Sequence, residues 1–417
     1  MIRSLLMGSA LLLGATPALA TDLFLDNATV IRTDGSTETL DLRIRNGRID
    51  AMASRLREPS NMPTLSGAWV SPGLVAPFST LGIVDIGGES STNDTSAETE
   101  LFSAAIQAAD SFNPLEVHIA NARQRGVMHA AVALRPAGDV IFGGIGMVAS
   151  LDGSFDSILD ETAFMHVALG EAGASRAGGS RGAAMQQIRS ALDDARRSYL
   201  TQGHVEGDVF ARRDARAFRD VASGDMPLMI SVSRASDLLR VVALKDDYPD
   251  LDIILVGAEE AYLVAEDLAD NGIRVIVDPV ENLPDTFDSV NASFDNILEL
   301  EAAGVDYAIA PLSALGTVKT GIIAQHAGNA VGQGLPRDAA MRAITSTPAR
   351  WFGIEMEDAS VGSDATMIVW DGDPLEVTSA PVAMYSEGEE LSLESRMTAL
   401  RDRYNPATED DRPFSYR

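Results

Sequence analysis

From Ala68 to Phe352 the chain repeats one unit: a short apolar run, then a polar stretch with apolar residues at helical spacing. The runs are Met128–Leu134, Phe164–Leu169, Pro227–Ser233, Leu251–Val256, Ile273–Val277 and Tyr307–Ala310. Between them lie sets such as Met185, Ile188, Leu192, Ala195 and Tyr199, then Leu238, Leu239, Val242 and Leu244, and then Phe294, Ile297, Leu298 and Leu300. A run apolar on both faces must be buried on both faces, and a helix after each run supplies the cover and the crossover that parallel pairing needs. At least seven such units over about 280 residues predict an α/β fold, a (β/α)8 TIM-like barrel rather than an open doubly wound sheet. No G-x-G-x-x-G follows a strand and no phosphate-binding P-loop is present, which argues against nucleotide binding.

The flanks read differently. Thr29–Arg32 and Leu40–Arg45 alternate as strands, and Asn46-Gly47 before Arg48-Ile49 is a tight-hairpin signal. Strand patterning returns at Ala365–Trp370 and Val382–Tyr385, after a helix expected over Asp338–Phe352. The barrel, 71–354, is therefore expected as an insertion in a small split β-sandwich made of 21–70 and 355–395. Residues 396–417 are expected to form a C-terminal tail. The Gly-rich stretch Ala174–Gly182 reads as a flexible loop on the side where barrel loops shape a site.

Residues 1–20 read as a leader peptide. Arg3 supplies the positive start, Leu5–Ala15 the apolar run, and Ala18-Leu19-Ala20 a cleavage site after Pro17. Cleavage after Ala20 and export to a bacterial periplasm are expected; the run is too short to span a bilayer, so no membrane attachment is expected after cleavage. There is no cysteine, which removes disulfides, thiolate nucleophiles and thiolate metal sites. The net charge is −29, or −30 once a leader whose only charged residue is Arg3 is gone. A field of that sign repels nucleic acid and anionic lipid.

Several stretches carry a family likeness. They are Leu42–Ile49, Ser71-Pro72-Gly73-Leu74, Gly257–Tyr262, Gly328–Val331, Gly334-Leu335-Pro336, Ala343-Ile344-Thr345, Thr347-Pro348-Ala349 and Gly362–Trp370. In them the chain resembles the amidohydrolase superfamily, nearest its imidazolonepropionase-like and exported members, over almost the whole length after the leader. The resemblance implies the barrel with a split β-unit. It also implies a hydrolase of non-peptide carbon–nitrogen bonds in cyclic amides or acyl-amino compounds, with zinc held at the exits of the first, fifth, sixth and eighth strands.

At those positions the ligands implied by the resemblance are replaced. The His-x-His place of the first strand holds Phe78 and Thr80, and the acid before it is Ala76. The fifth-strand histidine falls on Ser231-Val232-Ser233, the sixth exit holds Val256, Glu259 and Glu260, and the eighth exit holds Ala310–Ser313, with Asp306 at the wrong end. Hydroxyls are poor zinc donors and phenyl is none, so no metal and no cofactor is expected. The five histidines do not restore the set: His118, His129 and His326 read as structural, His166 as core and His204 as an exposed loop residue.

The candidate pocket is Phe78, Thr80, Ser231, Ser233, Arg234, Glu259, Asp278 and Ser313, with Asp85, Glu89, Glu260 and Glu281 as further charged candidates on the same face. Three functions follow. The first is an amidohydrolase-like protein impaired in catalysis or binding a small molecule without turnover. The second is an active hydrolase with an oxygen-ligand or metal-free site. The third is a non-catalytic subunit beside an active paralogue. A small-molecule ligand is the expected partner, and the oligomeric state is left open.

Overall fold

The computed structural model describes residues 22–97, 103–197, 212–312 and 316–404. The expected leader, Tyr199, His204, Ser313 and the tail from Asn405 lie outside the described residues.

Strands β1 (Leu23–Ile31), β2 (Thr37–Arg45) and β3 (Arg48–Ala53) form an antiparallel meander. Asn46 and Gly47 turn between β2 and β3 with φ of 49° and 75°, the left-handed pair that a two-residue hairpin requires. Strands β4 (Thr64–Ser66) and β5 (Trp69–Ser71) run parallel to β1.

The chain then enters the barrel through β6 (Leu74–Ser79), β7 (Val127–Val132), β8 (Phe142–Ser150), β9 (Ile158–Ala168), β10 (Leu228–Val232), β11 (Ile253–Gly257), β12 (Arg274–Val277) and β13 (Tyr307–Ile309). These eight are hydrogen-bonded in sequence order, and β13 comes back beside β6. The eight-stranded barrel is as expected, but one strand departs from the repeat. β8 pairs antiparallel with both β7 and β9. It joins them through the loops 133–141 and 151–157, with no covering helix in either. Its sequence, FGGIGMVAS, breaks its apolar residues with three glycines, so neither a continuous large-apolar run nor an alternation marks it.

Alternation sets what lines the barrel. Val75, Ala131, Val148, Phe164, Met229, Ile254, Ile276 and Ala308 point inward and pack together. Their neighbours in sequence, such as Leu74, Ala130, Met165, Ile230, Leu255, Val275 and Ile309, point outward into the core shared with the helices. Trp351 and Ile354, with Phe352 and Met356, close the N-terminal end of the barrel. There Asp306 accepts hydrogen bonds from Arg350 and from the Trp351 indole. One end is thus plugged, and the strand C-termini face the other.

After the barrel, β14 (Met367–Trp370), β15 (Pro381–Ser386) and β16 (Glu389–Glu390) return to the first sheet, β14 pairing antiparallel with β5. The split unit is one hydrogen-bonded sheet, ordered β16-β15-β14-β5-β1-β2-β3, with β4 beside β1. Leu25, Leu42, Ile44, Val70, Met367, Val369 and Tyr385 form its own core. Ile368, Trp370 and Met384, on the opposite face, pack onto the barrel layer.

Three local expectations change. Ala174–Gly182 is largely ordered: the helices Gly170–Arg176 and Arg181–Arg196 leave a turn between them, capped by Ser180 accepting from the Ala183 N–H. The single helix expected over Asp338–Phe352 is two, Arg337–Ile344 and Ser346–Trp351, broken at Thr345 (φ −131°, ψ −95°). The tail begins as the helix Arg396–Tyr404. No helix among the described residues is long and apolar enough to cross a membrane.

Candidate active site at the barrel mouth

The inward alternation carries on past each strand end, and that places the site. On β9, Phe164 points inward, so His166 two residues on does too. On β10 the inward Met229 is followed by Ser231 and Ser233, and on β12 Ile276 is followed by Asp278. Polar residues thus replace apolar ones as the strands leave the packed interior, which is where barrel enzymes build their chemistry.

His166 is held on both sides. Its Nδ1 lies 2.6 Å from the Leu134 carbonyl oxygen and its Nε2 lies 2.8 Å from the Ser231 hydroxyl. A carbonyl only accepts, so Nδ1 carries the proton, Nε2 accepts, and Ser231 donates. Phe78 packs its ring against the imidazole edge-on, with centroids 5.2 Å apart. Burial disfavours the charged ring and lowers its pKa to about 4, against the raising effect of the Leu134 bond; Arg135 lowers it further. The imidazole is therefore neutral at neutral pH. The sequence reading placed His166 in the core; it is buried, but it belongs to the mouth.

Asp278 anchors the opposite side. Its Oδ2 accepts from the Leu312 N–H at 2.9 Å, and its Oδ1 accepts from the Val280 N–H at 3.0 Å and from His326 Nδ1 at 2.7 Å. His326 comes from the buried face of the helix Ile323–Gln333. The sequence reading called it structural; the fold makes it the partner of a strand-end carboxylate. Glu281 lies in the same field: burial first, then Asp278 and Asp285, raise its pKa, while Lys319 and His326 oppose.

Glu259 lies between these groups. Gly257 and Ala258 both take positive φ, 93° and 50°, so the chain turns sharply at the end of β11. The Ala258 N–H donates to the Val232 carbonyl at 2.8 Å and ties this turn to β10. The carboxyl that results lies over Gly257 beside the Ser233 hydroxyl, which hydrogen-bonds it. Its Oε2 is buried without a partner among the described residues. Burial is the main cause that raises its pKa, with Glu281 and Asp278 adding repulsion and Ser233 opposing. A carboxyl in that setting holds its proton more tightly than a free glutamate does.

The other candidates sort by their bonds. Thr80 is hydrogen-bonded to Thr317 across the mouth. Glu260 is a buried clamp, accepting from the Ala235 N–H at 3.0 Å and from the Asn291 backbone and side chain. Arg234 is exposed and starts the helix Ala235–Val242. Glu89 is exposed and caps Ser90–Thr92. Asp85 sits to the flank, near Glu116 and His118. Phe78, Thr80, Ser231, Ser233, Glu259 and Asp278 thus belong to the mouth, while Arg234 stands at its rim. His166 and His326 are what sequence reading missed. The signal for His166 was its two-residue spacing from Phe164; nothing local links His326 to a residue 48 positions away.

The set resembles known proteins in architecture. An amidohydrolase from Thermotoga maritima superposes with a TM-score of 0.75 at 22% identity, covering 89% of this chain and 99% of that one. This is the amidohydrolase fold. A prolidase complexed with N-methylphosphonate-L-proline matches at TM-score 0.51 and 15% identity, over 89% of this chain and all of that one. An adenosine deaminase from Xanthomonas campestris with bound zinc matches at 0.50 and 17%, over 92% and 96%. Among curated sequences, the amidohydrolase tasK of Hapsidospora irregularis is 40% identical over 57 residues, 13% of this chain and only 6% of that protein's length. No protein-family model matches the chain.

Proposed function

We propose that this chain is a hydrolase of non-peptide carbon–nitrogen bonds, acting on a small cyclic amide or acyl-amino compound at the barrel mouth, and that it works without the zinc centre its fold implies. Such a bond breaks when a hydroxyl attacks the carbonyl carbon and the nitrogen takes a proton. Both requirements have residues here. His166 Nε2 accepts from the Ser231 hydroxyl and is placed to take its proton, and Glu259, at the next strand exit, is a buried carboxyl whose pKa is raised. The observation that carries the reading is a buried imidazole accepting from the Ser231 hydroxyl, with a buried carboxyl at the next strand exit, on the C-terminal end of an amidohydrolase barrel.

Zinc fits these donors poorly. At the first strand exit Phe78 offers none and the Thr80 hydroxyl is taken by Thr317. Both His166 nitrogens are engaged, and Asp278 is filled by two backbone N–H groups and His326. Among the described residues no group of three or more His, Cys, Asp or Glu is arranged to hold a metal. We therefore derive no step through one.

The test is a panel of cyclic amides, hydantoins and N-acyl amino acids, assayed with zinc, with manganese and with a chelator. Hydrolysis unaffected by the chelator is expected. A second reading, a ligand-binding protein without turnover, is favoured by the Phe78 ring seated against His166 at the first strand exit; binding by calorimetry with no hydrolysis of any panel member would select it. Export is part of the proposal: N-terminal sequencing of protein from the native periplasm should start at Thr21.

A further inference from the structure

The Ser231–His166 pair has a feature that a merely satisfied buried histidine does not require. The Leu134 carbonyl occupies Nδ1, so the lone pair of Nε2 is aimed at a serine hydroxyl that stands, half-buried, on the inward face at the exit of β10. That is the arrangement of an activated nucleophile: hydroxyl, base, and a third group that orients the base. Two residues further on, Ser233 hydrogen-bonds Glu259, which puts a buried carboxyl on the same side of the mouth. Phe78 packs its ring against the imidazole, with centroids 5.2 Å apart.

Resting on the hydrolase reading above, we propose that Ser231 is the nucleophile of the reaction, with His166 as its base, and that turnover passes through an acyl-serine intermediate. In the first half the Ser231 Oγ–H proton moves to His166 Nε2 and Oγ bonds to the carbonyl carbon. The carbon–nitrogen bond then breaks, and the nitrogen leaves with the proton of Glu259. In the second half water adds to the acyl carbon and gives its proton to the Glu259 carboxylate. The Oγ–carbon bond breaks, and Oγ recovers its proton from His166. Every group returns to its starting state, and one water is consumed.

The experiment uses the full chain and an alkyl fluorophosphonate, a serine-directed probe, read by intact mass and peptide mapping. One adduct per chain at Ser231 is expected. It should vanish in Ser231→Ala and form more slowly in His166→Gln, on the order of a hundredfold or more, as loss of a general base predicts. It should be unchanged in Ser236→Ala, an exposed serine on the next helix. Circular dichroism and a thermal melt check that each variant folds. Since His166 is wholly buried, Ser231→Cys provides a variant that leaves it in place. The chain has no cysteine of its own, so iodoacetamide reports on that position alone. A thiol that donates to this neutral imidazole should alkylate faster than a free one, and should lose that advantage when His166→Gln is added.

No adduct at Ser231 in the wild type, an unchanged rate in His166→Gln, or an ordinary thiol in Ser231→Cys would overturn the proposal. Amide hydrolysis that persists in Ser231→Ala overturns the nucleophile while leaving the hydrolase reading standing. An adduct at Ser231 in a protein that hydrolyses no amide supports the reactive pair and removes the hydrolase reading.

Discussion

Asp278 and His326 lie 2.7 Å apart although 48 positions separate them in the sequence. One stands at the exit of β12 and the other on the inner face of a helix that follows β13. Both are buried, at 5% and 6% exposure. Asp278→Asn replaces an acceptor of three N–H groups by an amide that must turn an NH2 towards one of them, and it should cost on the order of 1–3 kcal/mol in urea unfolding. His326→Gln should cost a similar amount. The double variant should cost clearly less than the two losses added, because each single change leaves the other partner unpaired. Strict additivity in that cycle would separate the two residues.

Glu116 provides a pH test. It is buried at the start of the helix Val117–Arg123, accepting from the His118 N–H at 2.7 Å, and burial pushes its pKa from 4.5 up to about 7. A raised carboxyl favours the protonated native state, so this stabilisation is present below pH 4.5 and is lost as pH rises through 7. His129 and His166 act the other way. Burial lowers each from 6.5 to about 4, so stability from them is full above 6.5 and is lost as pH falls through 4. Glu116→Gln should therefore gain melting temperature relative to the wild type between pH 5 and pH 8. A difference that does not change with pH would contradict this assignment.

The loop after β12 is clamped to the segments that follow β9 and β10. Asp288 accepts from the Glu171 N–H and pairs with Arg181, which also bonds Asp237 at 3.1 Å. One buried carboxylate thus ties the exits of β9, β10 and β12 together. Asp288→Ala removes the acceptor of the Glu171 N–H and leaves Arg181 with Asp237 alone, and should destabilise by roughly 1–2 kcal/mol and open the loop to limited proteolysis. Arg181→Ala should cost less, since that side chain is more exposed at 38%. Equal protease resistance in all three proteins would show that the clamp does not hold the loop.

At the turn that aims Glu259, a methyl group is the probe. Gly257 has φ +93°, and a Cβ there would approach the Glu259 carboxyl at 3.3 Å and the Ser233 hydroxyl at 3.5 Å. Gly257→Ala should lower stability by about 1–2 kcal/mol through the left-handed backbone. It should also reduce kcat more than it raises KM, because it displaces a group rather than a binding surface. A change confined to KM would mean that Glu259 only holds the ligand.

The barrel was legible because burial on both faces leaves an apolar run that survives without knowledge of neighbours. Where that mark was missing, the reading failed. In β8 the apolar residues are interrupted by Gly143, Gly144 and Gly146, and its antiparallel course needs no helix to announce it. The break at Thr345 is a single backbone excursion inside a helical pattern. At the site, the strand-exit residues Phe78, Ser231, Ser233, Glu259 and Asp278 could be placed by counting strands. His326 could not, since its contact depends on how one helix seats against β13. His166 was readable in principle from its two-residue step from Phe164, yet an apolar neighbourhood made it look like core.

The central claim, hydrolysis at this mouth without a transition metal, is met most directly by elemental analysis of the active protein purified without added metal. The account predicts carbon–nitrogen hydrolysis in a sample holding far less than one zinc, manganese, iron, cobalt, nickel or copper per chain. One or more of these metals per chain, with activity that disappears when they are removed and returns when they are restored, would contradict it.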